Sequence, residues 1–202
     1  MGRLMIVNGS PRAPQSNSKQ YAALFRSFWR GEADEYSVTQ HSHAEAFARL
    51  ENAEHLLLVF PLYADGVPAV LLDFLKALEA SPLRSRPTVH VLINCGFLEP
   101  RQNGVAIDMV RLFCRQNGFP FGSSLSVGSG EAILKTPFRF LVRRGARKLA
   151  RAMQASRNRD VCVTMPLLAQ TYVKASEKYW LAYGEKYGTT REQMDSMEIE
   201  KD

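Results

Sequence analysis

The sequence predicts an α/β fold built on a parallel sheet, and three observations predict it. Apolar runs alternate five times with stretches of helical periodicity along the 202 residues. The runs RLMIV (3–7), HLLLVF (55–60) and TVHVLIN (88–94) are almost continuously apolar, as strands covered on both faces are. The run EYSVT (35–39) is more polar and suits a sheet edge. Strand–helix alternation argues for helices on both sides of the sheet. Right-handed crossovers then leave the order 2-1-3-4-5 as the natural arrangement of five strands.

After RLMIV, Tyr21, Leu24, Phe25 and Phe28 recur at helical spacing within residues 18–30. EYSVT is the second strand, and residues 44–51 suit a short helix. HLLLVF follows, then a helix over 68–80 with Pro68 near its start, where a missing N–H is tolerated. TVHVLIN leads to a helix over 104–116, stopped by Asn117-Gly118. SSLSVG (123–128) is the fifth strand, followed by a strongly basic helix over 136–155. A last helix over 167–186 is an addition to the sheet unit, giving one expected domain over 1–188 and a frayed tail over 189–202.

Composition excludes several classes. With 46% hydrophobic and 23% charged residues the chain is ordinary for a globular protein. Its longest apolar stretch, LLLVFPLYA, is too short to span a bilayer and is broken by Pro61. A first strand starting at Arg3 leaves no room for a signal peptide. Cys95, Cys114 and Cys162 are widely spaced and form no Cys-x-x-Cys pair, so reduced thiols and a cytoplasmic location are expected. The net charge of +6 is confined to one segment. Residues 132–159 hold nine Lys or Arg and no acid, while the other 17 basic and 20 acidic residues leave the rest at −3.

In a sheet of this order, ligands bind beyond the carboxyl ends of the strands where the winding reverses, between strands 1 and 3. Three loops therefore matter. The first, NGSPRAPQSNSK (8–19), has Gly9 and Pro11 to shape a turn and Ser10, Ser16, Asn17 and Ser18 as short donors. It has no acid, and a helix N-terminus follows; these are the parts of a phosphate site. Ser16 or Asn17 acting simply as a helix N-cap is the plainer reading. The loop is neither Gly-x-Gly-x-x-Gly nor a Walker A sequence. The second, FPLYADGVPAVLLDFL (60–75), offers an apolar wall and backbone amides to a flat ring, with Asp65 alternatively a turn or cap residue. In the third, NCGFLEPRQNG, Asn94 and Gly96 suit close backbone approach and Phe97 suits packing beside a ligand. Cys95 lacks a nearby His, which argues for a buried thiol over a nucleophile.

Taken together, NGSPR with SNS, PLYADGVPAVLLDFL and INCGFLEPRQN resemble the motifs of the flavodoxin-like NAD(P)H-dependent FMN oxidoreductases, over roughly residues 3–130. The resemblance implies the same doubly wound sheet and a bound FMN. Ser10, Arg12, Ser16, Asn17 and Ser18 would hold its phosphate. Pro61, Leu62, Tyr63 and Asp65 would border the isoalloxazine, and Asn94, Cys95, Gly96 and Phe97 would meet its pyrimidine end. The iron–sulfur relatives carry a compact cysteine cluster that this chain lacks. The resemblance further implies hydride transfer from NAD(P)H to the flavin and on to a small acceptor such as a quinone or nitroaromatic, chemistry that needs orientation more than an acid or base. A flavodoxin-type electron carrier and a non-catalytic binding protein of the same fold are the competing readings.

Two helices lie outside these motifs. In TPFRFLVRRGARKLARAM, Phe138, Leu141, Val142, Leu149 and Met153 follow helical spacing and cations fill most of the rest. A solvated face, an anionic membrane surface, the extra phosphate of NADPH, and nucleic acid are its readings, though no nucleic-acid module is recognisable. The last helix carries Leu168, Tyr172, Ala175, Tyr179 and Tyr183 near one stripe, with Trp180 beside it. It either covers the domain's own edge or makes a lid or homodimer contact. His41 and His43 are expected on the surface, and His55 and His90 in strand ends or sheet packing.

Overall fold

The computed structural model describes residues 2–12, 15–38 and 43–196; His41 lies outside them. Six strands form one parallel sheet in the order β2-β1-β3-β4-β5-β6: β1 (Leu4–Asn8), β2 (Ala33–Ser37), β3 (His55–Pro61), β4 (Thr88–Asn94), β5 (Phe121–Val127) and β6 (Asp160–Val163). The order expected for five strands holds. The expected count does not: DVCV adds a sixth strand beside β5, pairing Leu125 with Val161 and Val127 with Val163. This strand is four residues long with two of them exposed, and so lacks the long apolar run that marks the inner strands.

The helices are α1 (Asn17–Arg26), α2 (Ala44–Leu50), α3 (Ala69–Glu79), α4 (Gly104–Gln116), α5 (Arg139–Gln154), α6 (Ala169–Lys186) and α7 (Arg191–Asp195). Side chains alternate across the sheet. Met5, Val7, Leu56, Leu58, Phe60, Val89, Val91 and Ile93 share a core with Leu50 of α2, Leu71 and Phe74 of α3 and Val110 of α4. The alternate residues, among them Leu4, Ile6, Leu57, Val59 and Leu92, are buried on the other face, where α1 packs against both the sheet and α5. There α5 rides close on β5 and β6: a Cβ on Gly145 would stand 2.8 Å from Val163 and 3.1 Å from Leu125.

That arrangement has a topological consequence. From β3 to β4, β4 to β5 and β5 to β6 the chain steps outward in one direction, yet α3 and α4 lie on one face and α5 on the other. The last crossover therefore has the opposite hand to the two before it, against the strong preference for a single hand in such connections.

By contact the chain divides into two compact units, Met1–Met165 and Pro166–Asp202. The second holds α6 and α7. Along α6 the rings of Tyr179, Trp180, Tyr183 and Tyr187 pack on one another. Within the expected tail, Thr190 and Gln193 close a capping box on α7, and Arg191 pairs with Glu177 at 2.8 Å. Among the described residues no helix is long and apolar enough to cross a membrane.

Both strand histidines belong to the sheet, as expected. His90, only 2% exposed, accepts a hydrogen bond at Nδ1 from the Ser123 N–H at 2.9 Å. Its proton therefore resides on Nε2, which faces His55 Nδ1 at 3.2 Å. His43, by contrast, is not a free surface residue. Its Nδ1 meets the Tyr36 hydroxyl at 2.6 Å, and its ring packs edge-on against Phe74, because α2 starts directly above that apolar patch.

Burial, with the neighbouring His55 second, pushes His90 down to about 3. The unfolded chain binds that proton near pH 6.5, so it holds more protons than the fold between about pH 6.5 and 3. Stability is complete above that window and falls as pH drops through it, by up to ~1.4 kcal/mol per pH unit. Urea unfolding at pH 7.5 and 4.5 measures this, and a His90→Gln variant shows a shallower pH slope than the parent.

Candidate functional site

The carboxyl ends of β1, β3 and β4 open into the three loops singled out in the sequence, and the structure joins them. Gly9 N–H donates to Val59 O at 2.8 Å, tying the first loop to β3. A Cβ on Gly9 would stand 2.6 Å from the Leu71 side chain, so only glycine lets this loop lie against α3. Asn8 Oδ1 accepts from Ser10 N–H at 3.1 Å, and Ser10 Oγ accepts from Arg12 N–H at 3.2 Å. The turn is thus built from its own side chains.

Ser16 is the N-cap of α1, accepting from Lys19 N–H at 3.2 Å, and Asn17 Oδ1 accepts from Gln20 Nε2 at 3.3 Å. The plainer reading of Ser16 is therefore correct, and it is compatible with an anion at the same turn. A cap satisfies one first-turn N–H and leaves others without helical carbonyls, beside the positive end of the dipole. Arg12 is exposed next to this turn and Ser10 is buried in it. Ser18 is also buried, its Oγ within 3.5 Å of Asn94 Nδ2. Asn8 Nδ2 is buried without a partner, and Asn8 lines a cleft of about 160 Å³ with Lys19, Glu35 and Ser37.

The second loop begins at Pro61. Leu62 N–H donates to Asn94 O at 2.7 Å, bonding the second loop to the third. Tyr63 and Gly66 exchange two backbone hydrogen bonds across a two-residue turn. Its central residues, Ala64 at φ 44° and Asp65 at φ 57°, are both left-handed, a conformation non-glycine residues adopt at a cost of roughly 1–2 kcal/mol each. This turn lifts Tyr63 out of the sheet end, where it is 55% exposed. Asp65 makes the turn and does not cap α3, whose N-cap position is Pro68.

In the third loop Asn94 is 3% exposed. Its Nδ2 donates to Phe60 O at 3.2 Å and approaches Ser18 Oγ. Its backbone carbonyl holds Leu62. Cys95 is buried, its thiol turned to the carbonyls of Phe97 and Glu99 at 3.8 Å, and burial pushes that thiol up, away from nucleophilic character. A Cβ on Gly96 would meet open space, and Phe97 is 51% exposed. The rim thus carries two exposed aromatic rings, one from each of two loops that are bonded to each other.

A fourth loop, GSGEA after β5, completes the rim and was not foreseen. Gly130 N–H donates to Cys95 O at 2.7 Å, and Ser129 N–H donates to Phe97 O at 2.5 Å. Tyr21 of α1 donates its hydroxyl to Gly130 O at 2.8 Å. A Cβ on Gly128 would lie 2.4 Å from Leu98 O, and one on Gly130 would lie 2.7 Å from Asn94 Cβ. Two glycines flanking a serine directly after an expected strand were the available signal.

These residues fit FMN. A phosphate dianion suits donors, a dipole end and Arg12 with no acid between residues 8 and 19. A flat ring suits the bonded second and third loops with their two rings. No family model matches the chain, and no curated protein sequence does. Solved structures do. An azoreductase from Bacillus anthracis str. Sterne superposes with TM-score 0.55 at 14% identity, over 75% of this chain and 98% of that one. An NAD(P)H:quinone oxidoreductase from Methanothermobacter marburgensis gives 0.59 at 15%, over 76% and 96%. A flavodoxin from Fusobacterium nucleatum, bound to flavin mononucleotide, gives 0.57 at 14%, over 77% and 98%. The fold is flavodoxin-like.

Two substitutions probe the rim. Ala64→Gly relieves the left-handed alanine and raises unfolding stability by up to about 1 kcal/mol in a denaturant titration. Asn94→Ala removes the donor shared by Phe60 and Ser18 and lowers stability by about 1–3 kcal/mol in the same assay.

Proposed function

We propose that the chain is an FMN-dependent oxidoreductase that passes reducing equivalents from NAD(P)H to a small acceptor such as a quinone or nitroaromatic. The observation that carries this reading is the meeting of three loops at one rim, where an acid-free helix N-terminus stands beside two exposed aromatic rings. Bound FMN supplies the hydride and electron chemistry. The protein's part is placement. The first-turn N–H groups of α1, Ser10 and Arg12 hold the phosphate, and the third loop meets the pyrimidine edge of the ring, where negative charge is best stabilised. Tyr63 and Phe97 wall the ring while their exposure keeps one side open to a nicotinamide and then to the acceptor. The buried side chain of Asn94 keeps the loops in register. No acid–base pair is required of such a site.

A flavodoxin-type carrier is the second reading, favoured by the flavodoxins among the structural neighbours. Steady-state oxidation of NADH and NADPH separates the two: the enzyme turns over with either nucleotide plus a quinone, whereas a carrier needs a separate reductase. The phosphate site has its own test. Ser16→Asp retains a good N-cap but adds a carboxylate to the proposed phosphate turn, and repulsion between a single charge and a dianion at ~6 Å is worth about tenfold in affinity even in water-like dielectric. FMN affinity, read by flavin fluorescence quenching, falls at least about tenfold at an unchanged thermal midpoint, while riboflavin affinity is unaltered. Equal FMN affinity in the variant and the parent overturns this assignment of the phosphate.

A further inference from the structure

The two helical layers differ sharply in charge. On one face, α2, α3 and α4 carry four basic residues (Arg49, Lys76, Arg111, Arg115) and four acidic ones (Glu45, Asp73, Glu79, Asp108). On the other, α1 and α5 carry eight basic residues and no acid. Folding sets Lys19 and Arg26 of α1 in the same layer as the six cations of α5, so the sequence's basic helix is one half of a wider surface. Among the described residues none of these eight enters an ion pair, whereas Arg49 and Arg111 opposite do.

The surface is also amphipathic. Arg143 and Arg147 lie over the Phe28 ring at 5.6 and 5.1 Å, and Phe140, 58% exposed, stands among the guanidinium groups near the start of α5. Val142, Ala146, Leu149 and Met153 are buried against the sheet, so α5 lies flat and presents only its outer side. A flat layer about 24 Å long, from 16 residues at ~1.5 Å each, with unpaired arginines and an exposed aromatic, matches a surface of anionic headgroups over an apolar interior.

We infer that the α1–α5 layer docks this protein on anionic phospholipid membranes, cations on the headgroups and Phe140 at the acyl boundary. The inference does not depend on the flavin reading. Both helices begin at the rim that carries the candidate site, so docking leaves that rim at the membrane's edge, in reach of an apolar acceptor.

The test is co-sedimentation of the full chain with vesicles of phosphatidylcholine alone and with one-quarter phosphatidylglycerol. The protein pellets with the anionic vesicles at 50 mM salt, stays in the supernatant with phosphatidylcholine, and is released as salt shortens the screening length toward ~3 Å near 1 M. Each surface cation is worth roughly fivefold in membrane affinity. The triple variant Arg139→Gln, Arg144→Gln, Arg151→Gln, three exposed positions away from Phe28, therefore loses about a hundredfold. Lys76→Gln with Arg115→Gln, on the opposite layer, binds as the parent does. Phe140→Ala weakens binding by the same factor at 50 and 150 mM salt, because insertion is not screened. Equal recovery with and without anionic lipid overturns the inference, as does parental binding by the triple variant. Tighter binding to duplex DNA than to anionic vesicles at matched salt overturns it too, and assigns the layer to nucleic acid.

Discussion

The rim holds together around Asn94. Its Nδ2 donates to the last carbonyl of the β3 apolar run, at Phe60, and approaches Ser18 at the start of α1. Its carbonyl accepts Leu62 of the second loop, and Gly130 of the fourth loop lies where a Cβ would touch the Asn94 Cβ. One buried amide thereby ties four segments that are up to about 110 residues apart in sequence. An unsatisfied amide at this depth is costly, so these bonds are strongly favoured together. The loops outside them are then free to spend their own polar groups on a ligand. This explains why the loops can be rich in glycine, proline and serine without losing their mutual positions.

Much of this was legible because the inner strands announce themselves. RLMIV, HLLLVF and TVHVLIN are apolar on both faces, and α4 ran over 104–116 as expected because Asn117-Gly118 stops it. Residues whose partners are distant were not legible in the same way. DVCV is left without an element in the sequence, since an edge strand of four residues is specified by its pairing with β5. The serines of SSLSV look wrong for a buried strand until Ser126 is seen to bond Asn103 and Pro100, and Ser123 the carbonyl of Arg157. Asn94 suits close backbone approach by its sequence alone, and the inward hydrogen bonds of its side chain come from partners far along the chain. Nothing within three residues of it carries that information.

Strain is concentrated where the site projects outward. Ala64 and Asp65 occupy left-handed backbone at the tip of a turn whose ends are doubly bonded between Tyr63 and Gly66. Glycine at either position would relax the turn, but it would also loosen the Tyr63 ring that the turn holds clear of the sheet. The neighbouring thiol shows the opposite economy. Cys95 is drawn in among carbonyls, where burial suppresses its ionisation, so a reactive-looking residue beside the candidate site is chemically quiet. The rim thus presents rings and amides outward and draws its thiol inward, which suits a cofactor that brings its own chemistry.

The hand of the last crossover decides the electrostatics of the whole unit. Had β5 to β6 taken the usual hand, α5 would have packed beside α4, on the face where Asp108 and Asp160 already bind Arg111 at 3.0 and 2.9 Å. Its six cations would then have met acids and entered the same short-range network. Crossing on the other face sets them beside α1, which has no acid to offer. Their charges add instead of cancelling, and the sheet between the layers keeps them apart from the balanced side. The glycine and alanines at 145, 146 and 150 make this possible, since α5 must lie close over β5 and β6 to bury Leu149 and Met153 there. A topological exception and an asymmetric surface are therefore one feature, set by where small residues let a basic helix come to rest.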